Sequence, residues 1–250
     1  MNEQGRSRLS QIYAAILVNA VYEMRNYPVV LINTILSPLS ILLVIVLVSQ
    51  GALVGVAVTG GFIMSMFSSG MALQADLSHL KNDFKLQDMV VSSPTSWFTY
   101  MGGIAISELV YSSPGLIVLA ALAFYILELS ALGALQLVAI LFLMFLTSTA
   151  LGFTLATFSS DIVQSFAFSR LISLLFATIP PVYYPITYIP LPFRYLAYLS
   201  PTTYAAELAQ NAIGHLELAP SSIALDWVVL MAVTAAFFLI ARGKAQWREV

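Results

Sequence analysis

VVLINTILSPLSILLVIVLVS, residues 29–49, is followed through the short link QGALVG, residues 50–55, by VAVTGGFIMSMFSSGMALQA, residues 56–75. Each run supplies the roughly 20 predominantly apolar residues that one helical crossing of a bilayer needs. The first is interrupted only by Asn33, Thr34 and the Ser37-Pro38 pair, and the second is rich in Gly, Ser and Met. Joined by a glycine-containing link, the two predict an antiparallel transmembrane hairpin.

Four more runs follow: Thr95–Leu127, Ala134–Phe158, Phe166–Tyr183 and Ile223–Ala241. The third span exceeds the hydrocarbon thickness and must tilt, kink or project, and Ser112-Ser113-Pro114-Gly115 is where a kink is expected. The chain is 60% hydrophobic and 9% charged, against about 25% charged residues in a soluble domain. The expected fold is all-α integral membrane, with six transmembrane helices. Residues 1–28 precede the first span, and residues 29–250 form a single six-span domain.

Basic residues orient the threading. Arg6, Arg8, Arg25, Lys81, Lys85, Arg170, Arg242, Lys244 and Arg248 fall on the face carrying both termini, and Arg194 falls opposite. Short loops rich in Lys and Arg stay in the cytoplasm, so a multi-pass protein of the cell membrane with both ends inside is expected. The chain has no cysteine, which removes disulfide and thiolate chemistry.

Leu9, Ile12, Tyr13, Ile16, Leu17, Ala20, Met24 and Tyr27 recur at the spacing of one helical face. Gln11, Asn19, Tyr22, Glu23 and Asn26 occupy much of the rest. This predicts an N-terminal amphipathic helix in the inner interface, ended by Pro28. The competing reading is a secretory signal with a Val18-Asn19-Ala20 cleavage site. Between spans two and three, Asp76, Lys81, Asp83, Lys85 and Asp88 surround an apolar ridge of Leu77, Leu80 and Phe84. A short cytoplasmic helix is expected there, either a solvated surface helix or a partner-docking face whose aromatic knob suits a groove. Ser93-Pro94 would cap the third span.

Between spans five and six lie Pro180, Pro181, Pro185, Pro190, Pro192 and Pro201, with Tyr183, Tyr184, Tyr188, Tyr195, Tyr198 and Tyr204. That proline density excludes one continuous helix, while tyrosine favours the headgroup boundary. A re-entrant or surface-lying outer segment is expected, either as an aromatic belt or as part of a ligand path.

Within the spans, Glu108 is read as the one carboxylate deep in the bilayer, without Lys, Arg or His at its depth. An ionisable group there is costly and marks a candidate path residue. Arg170 can snorkel to the inner surface, with Asp161 as companion. Gly60, Gly61, Ser65, Ser68, Ser69 and Gly70 in span two, with Gly102, Gly103 and Ser107 in span three, predict close helix packing.

Six spans, the leading amphipathic helix and a charged helix ending in Val91-Ser92-Ser93-Pro94 resemble the permease subunit of an ABC type-2 transporter. Tyr184-Pro185, Ile189-Pro190 and Leu199-Ser200-Pro201-Thr202-Thr203-Tyr204-Ala205-Ala206-Glu207 resemble that family's outer segment, with Ser200 where Asn is usual. The resemblance covers essentially the whole chain. It implies a cytosolic ABC ATPase partner, a second permease copy, most simply identical, the lipid bilayer around both, and export. This chain would bind no cofactor, ATP and Mg being held by the partner; no G-x-x-x-x-G-K-[ST] loop occurs in the sequence. It also implies a coupling surface of Leu77, Leu80, Lys81, Phe84, Lys85 and Asp88, and a path or gate of Glu108, Tyr183, Tyr184, Pro185 and Tyr188. No catalytic residue, metal site or nucleic-acid partner is expected. The alternatives are an ion channel or secondary transporter built on Glu108 and Pro114, a permease-like sensor or anchor, and an intramembrane hydrolase. The hydrolase would need a nucleophile with a base, or two carboxylates at matching depth, whereas His79 and His215 are read as outside the core and Glu108 as without an acidic partner there.

Overall fold

The computed structural model describes residues 3–82, 97–159 and 162–244. Among them the regular structure is helical throughout. Helix α1 (Glu3–Ile16) runs through a π-turn (Leu17–Val21) into α2 (Tyr22–Asn26), and α3 (Pro28–Val48) starts with its proline at the first helical position. A turn with left-handed Gln50 and Gly51 leads to α4 (Val54–Asn82). Then come α5 (Trp97–Ile126), α6 (Ala131–Phe158) and α7 (Ile162–Thr178). The outer segment holds a 3-10 turn (Ile186–Tyr188), α8 (Arg194–Ala197) and α9 (Pro201–Ala212), and α10 (Pro220–Lys244) follows.

Five of these helices are long and apolar enough to cross a membrane: α3, α4, α5, α6 and α10. The expected fifth span, Phe166–Tyr183, is corrected. Helix α7 begins earlier and stops at Thr178, before Pro180-Pro181, so Tyr183 lies in irregular chain. Its 17 residues extend about 25 Å, slightly less than a hydrocarbon core. Helix α5, 30 residues long, carries Pro114 in its interior.

Helix α4 is the hub. It packs against α3, α5, α6, α7 and α9, and Val56, Ile63, Phe67, Met71 and Leu73 are fully enclosed. Close approach to α6 is possible because small residues meet at the crossing. A Cβ on Gly70 would lie 2.6 Å from the Thr149 nitrogen, and one on Gly152 would lie 2.8 Å from the Gly70 oxygen. Ser148 Oγ also donates to the Met66 carbonyl at 3.2 Å. Interhelical hydrogen bonds fix the other contacts: Thr147 Oγ1 to Thr234 Oγ1 at 2.6 Å joins α6 to α10, and Gln74 Nε2 to the Ser165 oxygen at 2.8 Å joins α4 to α7. In hydrocarbon, such side chains take each other as partners because neither water nor lipid offers one. Helix α3, by contrast, has no buried residue. It rests on α4 and α5 and presents Leu36, Leu43, Leu47 and Val48 outward, a surface suited to lipid or a second subunit.

Candidate functional site

Two polar sites flank the hub helix at its opposite ends. The first gathers carboxyl groups from three segments: Glu23 on α2, Asp76 on α4 and Glu108 on α5. The Glu108 and Asp76 carboxyl groups face one another. Glu108 is 7% exposed, and its backbone oxygen accepts from Ser112 Oγ at 2.9 Å. Ser112 Oγ in turn accepts from Ser69 Oγ at 2.6 Å, which ties α5 to α4. Burial first, and then the Asp76 carboxylate, hold Glu23 above the usual carboxylate range.

Glu108 is therefore not alone at its depth, as the sequence suggested. Asp76 lies near the end of the apolar part of α4, Val54–Leu77, and Glu23 shortly precedes Pro28, so the three sit at one end of the bundle. Their signal was present but divided. Glu23 reads as part of the polar side of an interface helix and Asp76 as part of a charged loop, and nothing in sequence spacing joins 23, 76 and 108. The leading helices bring Glu23 in. Ala15 lies 3.2 Å from where a Gly103 Cβ would stand, and the π-turn inserts a residue that shifts the register of everything after it. Ile12, Ile16 and Ala20 turn toward the bundle while Leu9, Tyr13, Leu17 and Tyr27 stay exposed. The predicted apolar face is thus divided between protein and surroundings.

Replacing Glu108 with Leu is expected to cost about 1–3 kcal/mol by leaving Asp76 without its partner. Glu108→Gln, which keeps an amide for Asp76, should cost less than half as much. Thermal melting of the detergent-solubilised variants reads the difference; equal melting of Glu108→Leu and the parent would contradict the pairing.

The second site is the outer segment. Ser200 N-caps α9 by accepting from the Thr202 nitrogen at 3.4 Å, with Pro201 at the first helical position. Serine performs the capping that the more usual asparagine would perform. Helix α9 is buried along most of its length against α4, α6 and α10. Gln210 Nε2 donates to the Pro181 and Tyr184 oxygens at 3.2 and 3.3 Å, fastening the proline-rich chain to α9. Tyr183 is 7% exposed, and its ring packs at Gly60, where a Cβ would fall 2.8 Å from Cδ1 and 2.5 Å from the Val182 oxygen.

The candidate path residues separate. Tyr183 and Pro185 are buried, Tyr184 is half-buried and Tyr188 is exposed. Glu108 is far from all four: its partner Asp76 is sixteen residues along α4 from Gly60, about 24 Å of helix. Of the candidate coupling residues, Leu77, Leu80 and Lys81 lie on the last turns of α4, which runs to Asn82. Phe84, Lys85 and Asp88 lie outside the described residues, as do the Ser93-Pro94 cap and Asp161, the companion suggested for Arg170. Sequence reading passed over Asp226, although it stands inside the predicted last span; it is 2% exposed and faces Glu207. A single Asp early in an apolar helix was its available signal.

The family model for the ABC-2 type transporter matches residues 11–213, from within α1 to just past the end of α9. None of the curated proteins matches the chain.

Proposed function

The chain belongs to the ABC-2 type transporter family, and from that premise we propose that it is the permease subunit of an ATP-driven exporter. Membership makes it a multi-pass transport component of a membrane, not itself the catalyst. In the proposed assembly a cytosolic ATPase holds ATP and Mg, and two copies of this chain form the path between them. Helix α7, though short, serves as the remaining crossing, giving six spans with both termini inside.

The observation that carries the mechanism is the course of α4. One uninterrupted helix extends from Gly60, against Val182 and Tyr183, to Asn82 beyond the carboxyl cluster. A packed helix moves as a rigid element, so a push by the closing ATPase on the coupling segment, residues 76–92, would be carried by α4 to the outer tyrosine segment. Tyr183, Tyr184, Pro185 and Tyr188 act as the outer gate, with Tyr183 as its buried wedge. Residues 9–27, packed on α5, follow the movement. Glu108 and Asp76 act at the inner end, where their facing side chains and the Ser69–Ser112 hydrogen bond hold α4 to α5 between strokes.

Co-purification tests this reading. The protein extracted from its native membrane should bring a nucleotide-binding subunit in equal amount, and the eluate should hydrolyse ATP. Transport by the protein with no ATPase attached would overturn it in favour of a channel or secondary carrier built on Glu108.

A further inference from the structure

Between α9 and the start of α10 lies a cavity of about 250 Å³ lined by Tyr198, Tyr204, Glu207, Ser222, Leu225 and Asp226. Its acids are enclosed: Glu207 is 5% and Asp226 2% exposed. Asp226 Oδ2 is buried with no hydrogen-bond partner among the described residues. A buried carboxylate oxygen without a donor or counter-charge is costly, and such groups are normally paired. Arg194, whose Nη2 donates to the backbone oxygens of Thr187 and Ile189 at 3.3 and 3.1 Å, lends its charge to Glu207 and Tyr198 and not to Asp226.

Both tyrosine hydroxyls are engaged. Tyr198 Oη donates to Glu207 Oε1 at 3.2 Å, and Tyr204 Oη donates to the Tyr198 carbonyl at 2.9 Å. Their ring centroids stand 5.7 Å apart, tilted by 45°. Burial first, and then Glu207, push the Tyr198 hydroxyl up to about 12, so it remains a neutral donor. Aromatic faces beside carboxylates attract a cation twice over, through the ring quadrupole and through charge.

We propose that this cavity binds an organic monocation, an ammonium or quaternary ammonium group, with Asp226 and Glu207 as its counter-charges and the Tyr198 and Tyr204 rings as its walls. An inorganic divalent ion fits less well. Calcium takes 6–8 oxygen ligands, whereas among the described residues no group of three or more His, Cys, Asp or Glu is placed to hold a metal. Only the step from bound ligand to exported cargo rests on the permease reading; binding to this chain does not.

Calorimetric titration of the full-length chain in detergent, without ATPase, separates the two. The probes are choline, tetraethylammonium, and 3,3-dimethyl-1-butanol, the uncharged isostere of choline. At least one cation should bind saturably, with choline at least tenfold tighter than the isostere. Asp226→Asn and, independently, Glu207→Gln should each weaken cation binding at least tenfold while leaving melting temperature within a few degrees of the parent. Tyr204→Phe, which keeps the ring, should bind within threefold of the parent. Absence of binding by either cation, equal binding of the isostere, or undiminished binding by folded Asp226→Asn would overturn the proposal. None of those results would touch co-purification with an ATPase, and a missing ATPase would leave cation binding intact.

Discussion

Gly70→Val should yield almost no folded protein. The added Cβ meets Ser148 Oγ and lies 2.6 Å from the Thr149 nitrogen. The serine has little room to turn, since its hydroxyl is held by the Met144 and Phe145 carbonyls at 2.9 and 3.0 Å. The Thr149 nitrogen is backbone and cannot yield without moving α6. Overpacking that side chains can absorb costs about 1–3 kcal/mol; here two helices must separate along the crossing that carries Phe67, Met71 and Met144. Against a total stability of about 5–15 kcal/mol, that loss is decisive. The yield of monodisperse protein after detergent extraction measures it. Gly102→Ala is the control, because a Cβ there meets nothing within 4 Å, and it should leave the yield unchanged. A Gly70→Val variant with parental yield and melting temperature would refute the close-packed crossing.

The second large effect is functional and leaves the fold alone. Leu80→Asp combined with Phe84→Asp should abolish ATP-driven transport and co-purification of the ATPase, with parental yield and melting temperature. Leu77, Leu80 and Phe84 recur at intervals of three and four along the sequence, the spacing of one helical face. Helix α4 carries the first two of them. Anchoring side chains in a groove contribute about 2 kcal/mol or more each, and burying a carboxylate in their place adds a desolvation cost. Loss of two anchors therefore corresponds to about a thousandfold in affinity. ATP-dependent uptake into inverted vesicles and the ATPase content of the purified complex read the result. An ATPase retained in equal amount would exclude this ridge as the docking surface.

Much of the architecture was legible from residues alone, and the places where it was not share one cause. The hairpin of spans one and two could be read because its apolar runs are bounded by Pro28 and a glycine turn, both local signals. The break in the outer segment could be read from its prolines. Helix α7 was misplaced because the apolar run continues past Thr178 while Pro180-Pro181 ends the helix. Pro114 has a different outcome and stays inside α5. A helix flanked by others tolerates proline, so α5 continues through it.

The candidate site was legible only in pieces. Tyr183 was singled out, but its contact with Gly60 was not; Glu108 was singled out, but not its pairing with Asp76. Glu207 was read as part of a motif, and Asp226 was passed over. The sequence by itself determined that this is a helical membrane protein, approximately where its apolar helices lie, and where the chain must break between them. Apolarity, proline and glycine act over a few residues, so a linear reading captures them. Only the tertiary structure decided that α4 is the hub, that α3 lies at the edge, and that carboxyl groups from distant segments meet in pairs at opposite ends of α4. Helices apolar on all sides carry no preferred face in their sequence. Their neighbours are chosen by shape at contacts such as Gly70 with Ser148, and by hydrogen bonds that hydrocarbon cannot supply.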